Sequence, residues 1–252
     1  MSSRLSGKIA LVTGAGQGVG QGIAFALAAN GASVAVTGRT LSKLETTCAE
    51  IEKRGGVALP IECNVKNLES MTACVEQVVS HFGGLNILVN NAQEVPLGDL
   101  HSVTEEAFEA GWQSGPLATL RMMKLCHPHL KGDGCIVNLA STAAKRWDMK
   151  GYGAYAAVKE AIRSLSRGAA CEWAEDGIRT NVILPHALSP ALQWWTENRP
   201  EEAAEFVSSI PMKRIGDCEL DIGNFVASLC SEDSRYVNGQ TIALDGGQAS
   251  LG

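Results

Sequence analysis

The chain has 252 residues and a net charge of −6, with 45% hydrophobic and 19% charged residues. A chain of this length can bury a large core without disulfides, and the composition is typical of a globular protein. The acidic balance argues against nucleic acid as a main partner, because phosphate backbones are bound by clustered Lys and Arg. The first residues lead into an apolar run that is too short for a signal sequence or a membrane span, so no membrane partner is expected.

Eight cysteines are scattered through apolar stretches of the chain. None forms a Cys-x-x-Cys pair, and no His or Cys cluster has the spacing of a zinc site. Isolated cysteines in apolar surroundings are typical of buried, reduced thiols in an intracellular protein. We therefore predict a cytoplasmic protein with no metal site.

Apolar runs of strand length alternate with helix-like stretches along the chain. The predicted strands lack strict alternation, as expected of strands covered on both faces, and they are Ile9–Val12, Ser33–Val36, Ala58–Ile61, Asn86–Val89, Cys135–Leu139 and Thr180–Leu184. Helical periodicity is found in Gly20–Ala29, Leu41–Lys53, Leu68–Phe82, Glu105–Leu130 and Ala154–Trp173. The alternation predicts an α/β fold in one domain over residues 1–252, a Rossmann-like, doubly wound parallel sheet with helices on both faces.

The segment at about 188–214 departs from this alternation. It contains Trp194-Trp195, an acidic stretch and prolines, and it follows the sixth predicted strand. A long excursion at the carboxyl ends of parallel strands overhangs the crevice where such sheets bind ligands. We predict a substrate lid here; the alternative is that the two tryptophans fill a subunit interface.

A glycine-rich loop joins the first predicted strand to the first helix, with the sequence Thr13-Gly14-Ala15-Gly16-Gln17-Gly18-Val19-Gly20. Glycines let the backbone approach a pyrophosphate closely, and a helix N-terminus supplies N–H groups and a favourable dipole. The loop does not fit the general pattern G-x-G-x-x-G but fits T-G-x-x-x-G-x-G, which resembles the short-chain dehydrogenase/reductase family. Such a loop is often only a tight connection, but its position between strand and helix favours a nucleotide site.

The end of the second predicted strand indicates which cofactor is used. The segment Thr37-Gly38-Arg39-Thr40 places Gly38 where NAD-preferring members of the family carry an acidic residue. The guanidinium of Arg39 can bind a 2′-phosphate in a bidentate manner, and Thr40 adds a hydroxyl. The alternative is an exposed Arg at the start of a helix. We predict that NADP(H) is preferred and that NAD(H) is possible.

The pattern Tyr-x-x-x-Lys at Tyr155 and Lys159 places two side chains one helical turn apart on one face. A free phenol titrates near ~10, and a neighbouring ammonium lowers that pKa. Ser141, at the end of the fifth predicted strand, can hydrogen-bond the same substrate oxygen. The order of these residues after the glycine loop is similar to that in the family, so the resemblance covers essentially the whole chain and implies that Ser141, Tyr155 and Lys159 are catalytic.

The resemblance also implies the remaining site residues. The expected cofactor-binding residues are Gly14, Gln17, Gly18, Val19, Gly20, Arg39, Thr40, Asn64, Val65, Asn91, Ala92, Tyr155, Lys159 and Pro185. The expected substrate-binding residues are Gln93, Ser141, Trp147, His186, Leu188 and Trp195. Segments similar to the family's last strand and subunit contact imply a homotetramer or a homodimer; they are Tyr236-Val237-Asn238-Gly239 and Leu244-Asp245-Gly246-Gly247.

The chain departs from the family's pattern around the same pocket. Gly115 stands where a catalytic asparagine is expected in the central helix, and Gln93 replaces the glycine of an Asn-Asn-Ala-Gly motif. His186 replaces the glycine of a Pro-Gly turn, and Pro190 replaces a threonine. Asn64 stands in place of the aspartate of an Asp-Val step. The changes at Gly115, at Gln93 and in the turn from His186 to Pro190 indicate either a reshaped substrate site or reduced activity, whereas Asn64 belongs to the expected adenine contact. His186 can equally be a turn residue that binds no ligand.

Three functions are compatible with these residues. The first is an NADP(H)-dependent oxidoreductase that reduces a ketone or aldehyde or oxidises a secondary alcohol, with an apolar cyclic or aromatic substrate. The second is a nucleotide-binding protein with weak or no catalysis, acting as a sensor or an assembly subunit. The third is a 3-oxoacyl thioester reductase, for which Lys145, Arg146 and Lys150 are candidate docking charges.

Overall fold

A computed structural model describes residues 3–146 and 150–249 of the chain. Seven parallel strands form its sheet in the order β3-β2-β1-β4-β5-β6-β7. The strands are β1 (Ile9–Thr13), β2 (Ser33–Gly38), β3 (Val57–Glu62), β4 (Ile87–Asn90), β5 (Gly134–Leu139), β6 (Ile178–Pro185) and β7 (Thr241–Leu244). All six strands predicted from apolar runs are confirmed. Strand β7 lies between the two C-terminal segments that resemble the family's last strand and subunit contact, and it overlaps them only at Leu244.

The helices connect successive strands, as right-handed crossovers between parallel neighbours require. They are α1 (Gly18–Ala29), α2 (Leu41–Lys53), α3 (Leu68–Phe82), α4 (Glu105–Trp112), α5 (Ala118–Leu130), α6 (Gly153–Glu172), α7 (Pro190–Asn198), α8 (Pro200–Ser209) and α9 (Asn224–Leu229). Within residues 3–146 and 150–249, none of the helices combines the length and apolar character needed to cross a bilayer.

Two hydrophobic clusters lie on opposite faces of the sheet. Because side chains alternate along a strand, Val12 of β1 packs with α1, α2 and α9 on one face, while Leu11 packs with α3 and α5 on the other. Both residues are fully buried. The predicted doubly wound sheet with helices on both faces is therefore confirmed.

The central helix differs from its prediction. Instead of one helix over Glu105–Leu130, α4 and α5 are separated by a π-helical turn, Gln113–Leu117. Pro116 lies inside this turn and lacks the N–H that an α-helix needs at that position. Such π turns are frequent at functional sites, and this one faces the cavity described below.

The cysteines are buried, as predicted from the sequence, at most but not all positions. The structure describes them as free thiols, and most are buried, but Cys171 is exposed near the end of α6 and Cys218 is half-buried. Cys171 lies on the outer face of an amphipathic helix, which an apolar local sequence does not reveal. Burial raises the pKa of Cys48 to about 12, so that thiol is unreactive.

Candidate active site

One cavity runs along the carboxyl ends of the strands, beside β1 and β4, where the strand order reverses. Ligands bind doubly wound sheets at this switch point. The volume of the cavity is ≈ 1100 Å³, enough for a dinucleotide together with a second small molecule. Most of the predicted site residues lie along it, and these are Gly14, Gln17, Gly18, Val19, Arg39, Thr40, Asn64, Val65, Asn91, Ala92, Gln93, Ser141, Tyr155, Lys159, Pro185, His186 and Trp195.

The glycine loop is shaped by backbone angles and by a neighbouring amide. Gly14 and Gly18 have φ angles of 65° and 60°, in the region that favours glycine. The Asn91 amide donates to the carbonyl oxygens of Thr13 (2.8 Å) and Gly14 (3.0 Å). A Cβ at Gly20 would lie 2.4 Å from that same amide nitrogen. Gly20 therefore does not line the cavity but makes room for Asn91, which fixes the shape of the loop.

The loop fits a pyrophosphate. The residue preceding α1, Gln17, makes no side-chain cap, so the first N–H groups of the helix have no side-chain acceptor. Free N–H groups at a helix N-terminus bind anions. Lys43 lies on the same wall and donates to the Gln17 side-chain oxygen at 2.6 Å. This donor set suits the phosphates of a nicotinamide dinucleotide.

Cationic side chains surround the end of β2. Arg39 and Lys66 both contact one oxygen of Glu94, Arg39 through Nη1 at 3.0 Å and Lys66 through Nζ at 2.9 Å. The Arg39 side chain is 63% exposed, so it is free to reorient. Thr40 precedes α2 without capping it, and its side chain lies along the cavity. At this end of the cavity, the Arg39 and Lys66 cations are thus both paired with the carboxylate of Glu94.

Asn64 and Val65 lie along the same wall, near the end of β3. The Asn64 side-chain oxygen accepts from the N–H of Lys66 at 3.1 Å, closing a local turn. The side-chain oxygen of Asn64 therefore already has a hydrogen-bond partner within its own loop. Val65 is 9% exposed and contributes apolar surface.

Ser141 and Tyr155 meet at the floor of the cavity. Ser141 follows β5, and its hydroxyl accepts from the N–H of Ala143 at 3.2 Å. The Tyr155 hydroxyl shares a hydrogen bond with Ser141. Burial raises the pKa of Tyr155 to about 12, and the Ser141 hydrogen bond opposes that rise. The lowered pKa expected from the sequence is wrong for the protein alone, because burial outweighs any charge from Lys159, and Tyr155 is protonated at neutral pH.

Lys159 lies one helical turn beyond Tyr155 and is 4% exposed. Its Nζ donates to the carbonyl oxygen of Leu139 at 2.7 Å and lies 5.6 Å from the centre of the Tyr155 ring. Burial lowers the pKa of Lys159 to about 7, since an ammonium is costly in an apolar surrounding. Lys159 can therefore gain or lose a proton near neutral pH.

This shift predicts how Lys159 affects stability. The folded-state pKa lies below the unfolded value, so the cost of burying the ammonium is fully present at and below about pH 7 and disappears as the pH rises toward ~10.5. We expect Lys159→Met to raise the free energy of unfolding by about 2–4 kcal/mol near neutral pH, and by much less at about pH 10. Urea unfolding at both pH values measures this, with the exposed Lys124→Met as the control. A gain independent of pH would contradict the assignment.

The chain is similar to known proteins over nearly its whole length. A family model described as enoyl-(acyl carrier protein) reductase matches residues 14–249. The 12alpha-hydroxysteroid dehydrogenase of Clostridium sp. (strain ATCC 29733 / VPI C48-50) is 38% identical over 250 residues, covering 96% of each chain. The chain belongs to the short-chain dehydrogenase/reductase family. It is therefore an oxidoreductase by family.

Two further members of the short-chain dehydrogenase/reductase family are similar over nearly the whole length. The 2,5-dichloro-2,5-cyclohexadiene-1,4-diol dehydrogenase LinX of Sphingobium indicum (strain DSM 16412 / CCM 7286 / MTCC 6364 / B90A) is 33% identical over 254 residues, with 98% of each chain covered. A crystal structure of a short chain dehydrogenase from Burkholderia cenocepacia J2315 in complex with NADP has a TM-score of 0.90 and 31% identity. It covers 97% of this chain and 99% of its own.

The two departures in the Asn-Asn-Ala-Gly motif and the central helix of the family meet in space. Gln93 lines the cavity, but its side-chain nitrogen donates to the carbonyl oxygens of Glu94 (2.8 Å) and Gly111 (2.9 Å). Both amide hydrogens are therefore used within the protein. A Cβ at Gly115 would lie 2.5 Å from the Gln93 side-chain oxygen.

The predicted substrate residues are brought together only in part. His186 and Trp195 line the cavity, and the ring of Phe206 packs edge-on against both, with centroid separations of 5.2 Å and 5.6 Å. Burial lowers the pKa of His186, the charge of Asp245 opposes this shift, and the charge of Arg146 adds to it. Trp147 lies outside the described residues.

Leu188 does not lie along the cavity, although the neighbouring Ala187 and Ser189 do. The backbone N–H of Leu188 bonds to the carbonyl oxygen of Gly216 next to the bridge between Ala187 and Gly216. Leu188 is 43% exposed.

Part of the apolar wall was not predicted from the sequence. The additional apolar and aromatic lining residues are Val95, Leu97, Tyr152, Leu192 and Phe206. Trp194 of the predicted lid and the polar Gln248 also line the cavity. Val95 and Leu97 follow the Asn-Asn-Ala-Gln motif in a loop, and apolar side chains in a loop beside a ligand motif are the signal that was available. Phe206 lies among acidic residues on α8, where no local pattern indicates which way its ring points.

Proposed function

We propose that this short-chain dehydrogenase/reductase is an NADP(H)-dependent enzyme that reduces a ring ketone or oxidises the corresponding secondary alcohol. The observation that carries the proposal is the hydrogen bond between Ser141 and a protonated Tyr155 at the floor of the cavity, beside the buried Lys159. A neutral phenol beside a hydroxyl donor can bind a carbonyl oxygen and protonate it.

The preference for NADP(H) rests on charge. Arg39 and Lys66 lie at the end of the cavity next to β2, and Gly38 provides no carboxylate to repel a phosphate. Charge-assisted bonds from a guanidinium to phosphate are strong and geometrically specific. A structural neighbour in complex with NADP, similar over nearly the whole chain, supports the same preference.

The bound cofactor supplies the hydride, and the residues of the chain manage the proton and the charge. In the reductive direction, the Ser141 hydroxyl donates a hydrogen bond to the substrate oxygen and the Tyr155 hydroxyl gives that oxygen its proton. The backbone carbonyl of Leu139 holds the Lys159 nitrogen beside the Tyr155 ring, 5.6 Å from the centre of the ring. With a pKa of about 7, Lys159 can release a proton toward the Tyr155 phenolate that forms and regain one from solvent, so that both groups are restored after each turnover.

An apolar ring substrate suits the apolar and aromatic side chains along the cavity. Among them are Val95, Leu97, Tyr152, Trp195 and Phe206. Flat apolar walls with a few polar groups are typical of sites for rigid ring compounds. Relatives named for a hydroxysteroid and for a cyclohexadienediol support this substrate class.

We also propose that the segment at about 188–214 is a substrate lid over a single NADP(H)-binding domain and that the protein assembles as a homotetramer or homodimer in the cytoplasm. Helices α7 and α8 form the segment, and the buried side of this pair carries Trp195 and Phe206 toward the cavity. Trp194 is 61% exposed, so either a closing lid or a subunit contact can cover it.

The test is turnover. The absorbance of NADPH is followed while the purified protein meets a panel of steroid ketones, aromatic ring ketones, aliphatic ketones and 3-oxoacyl thioesters, with NADH in parallel. Oxidation of NADPH with ring ketones supports the proposal. Turnover restricted to acyl thioesters would support the thioester reductase, and binding of NADPH without turnover of any class would indicate a nucleotide-binding protein.

Glu94 is expected to oppose binding of the 2′-phosphate. Its carboxylate occupies Arg39 and Lys66, both partly exposed, and exposed pairs contribute about 0–1 kcal/mol each. We expect Glu94→Gln to tighten NADPH binding roughly 3–10-fold, because two such pairs no longer compete. NADH, which lacks the phosphate, gains little. Calorimetric titration of both cofactors measures the difference, and equal gains for the two would show that Glu94 does not act on the phosphate.

A further inference from the structure

The loop after β4 and the π turn of the central helix interlock through Gln93 and Gly115. Gly115 is buried, and a Cβ there would lie 2.5 Å from Oε1 and 2.8 Å from Nε2 of Gln93. Distances this short exclude any side chain at position 115 while Gln93 keeps its place. The Gln93 amide therefore fills the space that a helix side chain would otherwise occupy.

The amide is fixed in one orientation. Nε2 lies beside two carbonyl oxygens, those of Glu94 and Gly111, and carbonyls only accept hydrogen bonds. The amide cannot be turned over without placing oxygen against oxygen. As a result Oε1 is buried without a partner among the described residues, a cost that the two bonds of Nε2 offset.

The same contacts hold the backbone of Glu94 at both ends. Its carbonyl accepts from Gln93, and its N–H donates to the Ser114 hydroxyl at 2.9 Å. Ser114 in turn donates to the carbonyl oxygen of Ala110 at 2.7 Å. The carbonyls of Ala110 and Gly111, near the end of α4, thus accept from the side chains of Ser114 and Gln93 where the π turn begins, and the Ala110 carbonyl also accepts from the Gln113 N–H.

The interlocked pair also touches the catalytic helix. The Cβ position of Gly115 lies 2.9 Å from Cγ1 of Val158, which is fully buried on α6 directly before Lys159. A shift of the π turn would therefore press on the segment of α6 that carries Tyr155 and Lys159. Packed interiors transmit such displacements because they contain little free volume.

We propose that Gln93 and Gly115 are an exchanged pair, in which the carboxamide of Gln93 enters from the loop after β4 to take the place of a side chain on the central helix. Gln93 is a positioning residue in this arrangement. It fixes the π turn and Glu94 against α6, and it keeps the Ser141–Tyr155–Lys159 geometry with no side chain at position 115. The proposal rests on the proposed function for its kinetic readout but not for its stability readout.

The test is a cycle of three variants. Gly115→Asn alone introduces the clash, and Gln93→Gly alone removes two hydrogen bonds and leaves a void. We expect each single variant to lower kcat with a ring ketone about tenfold or more, since small misplacements at a catalytic site are costly. The double variant Gln93→Gly/Gly115→Asn, which restores the pattern of the family, is expected to recover kcat to within about threefold of the wild type.

The pH dependence separates positioning from stability. A movement of α6 in the single variants changes the burial of Lys159 and therefore its pKa. We expect the limb of the pH profile of kcat near neutral pH to shift in the single variants and to return to its wild-type position in the double variant. Gln93→Met fills the volume without the amide, and we expect it to fold and still lose activity. Additive losses of unfolding free energy and of kcat in the double variant, or a Gln93→Met enzyme with wild-type kcat, would overturn the proposal.

A failure of the proposed function can be distinguished from a failure of the proposal for Gln93 and Gly115. If the wild type binds NADPH but turns over no ketone, the proposed function fails. The coupling between positions 93 and 115 is then still measured by urea unfolding of the same four proteins.

Discussion

Tyr155→Phe is expected to lower kcat for ring-ketone reduction by about 10²–10⁴-fold, the range found for loss of a general acid. The substitution removes the hydroxyl that shares a hydrogen bond with Ser141 and leaves the ring in place beside Lys159. The dissociation constant for NADPH is expected to change by no more than about threefold, because phosphate binding lies at the other end of the cavity. Steady-state kinetics with NADPH and calorimetric titration measure the two quantities separately.

Tyr152→Phe is the matched control for this experiment. Tyr152 also lines the cavity, and its ring centre lies 6.3 Å from that of Tyr155, but the structure gives its hydroxyl no place in the Ser141 hydrogen bond. It is expected to affect KM more than kcat. If Tyr155→Phe keeps wild-type kcat, or if both variants lose kcat equally, Tyr155 is not the proton donor.

The double variant Gly38→Asp/Arg39→Leu is expected to reduce the preference for NADPH over NADH, measured as the ratio of kcat/KM values, by about 10²–10³-fold. Loss of two charge-assisted hydrogen bonds accounts for about 3–4 kcal/mol, and a carboxylate at position 38 adds repulsion of the phosphate. Aspartate fits at this position. A Cβ there meets the flexible end of Leu44 at 3.2 Å and the Cα of Gly14 at 3.9 Å, an ordinary contact, and the backbone is not in the left-handed region.

Arg167→Leu is the control for the loss of one positive charge. Arg167 is exposed on α6 and does not line the cavity. A similar change of cofactor preference in both proteins would indicate a general effect of net charge rather than a contact at Arg39. An unchanged preference in the double variant would contradict the assignment of Arg39 to the 2′-phosphate.

The sheet could be predicted from the sequence because its strands are buried on both faces. In a chain of this composition, short apolar runs such as Ile9–Thr13 and Gly134–Leu139 are typical of buried parallel strands. The central helix could not be predicted in detail. Helical periodicity continues across Gly115-Pro116, and only the three-dimensional neighbours show that a π turn replaces one α-helical turn there.

The site could be predicted where a residue's chemistry is tied to its spacing. Tyr155 and Lys159 are one helical turn apart, and the loop from Gly14 to Gly18 must follow β1, so their convergence on one cavity follows from topology. Their pKa values could not be predicted, because burial and not the nearby charge dominates both. The sequence could not show which residues after β6 face the cavity, and the structure places Ala187 and Ser189 along it but not Leu188.

The relation between the departures from the family's pattern at Gln93 and Gly115 could be found only from the structure. Gln93 and Gly115 are separated by 22 positions in the sequence. Each change on its own resembles the loss of a residue that the family's pattern requires. The structure shows that the amide of one fills the space vacated at the other. A contact of this kind is invisible in one sequence, because neither residue type reveals its partner.

The central claim is that hydride passes between the nicotinamide of NADP(H) and the carbonyl carbon of a ring ketone at Tyr155. The most direct measurement uses NADPH with both hydrogens of the hydride-carrying nicotinamide carbon replaced by deuterium, together with the ketone that reacts fastest in the panel and mass spectrometry of the product alcohol. The account predicts one deuterium on the carbinol carbon, with formation of the labelled alcohol slowed about 10²–10⁴-fold in Tyr155→Phe. Product without deuterium at that carbon, or no labelled alcohol from any ketone that binds beside NADPH, would contradict it.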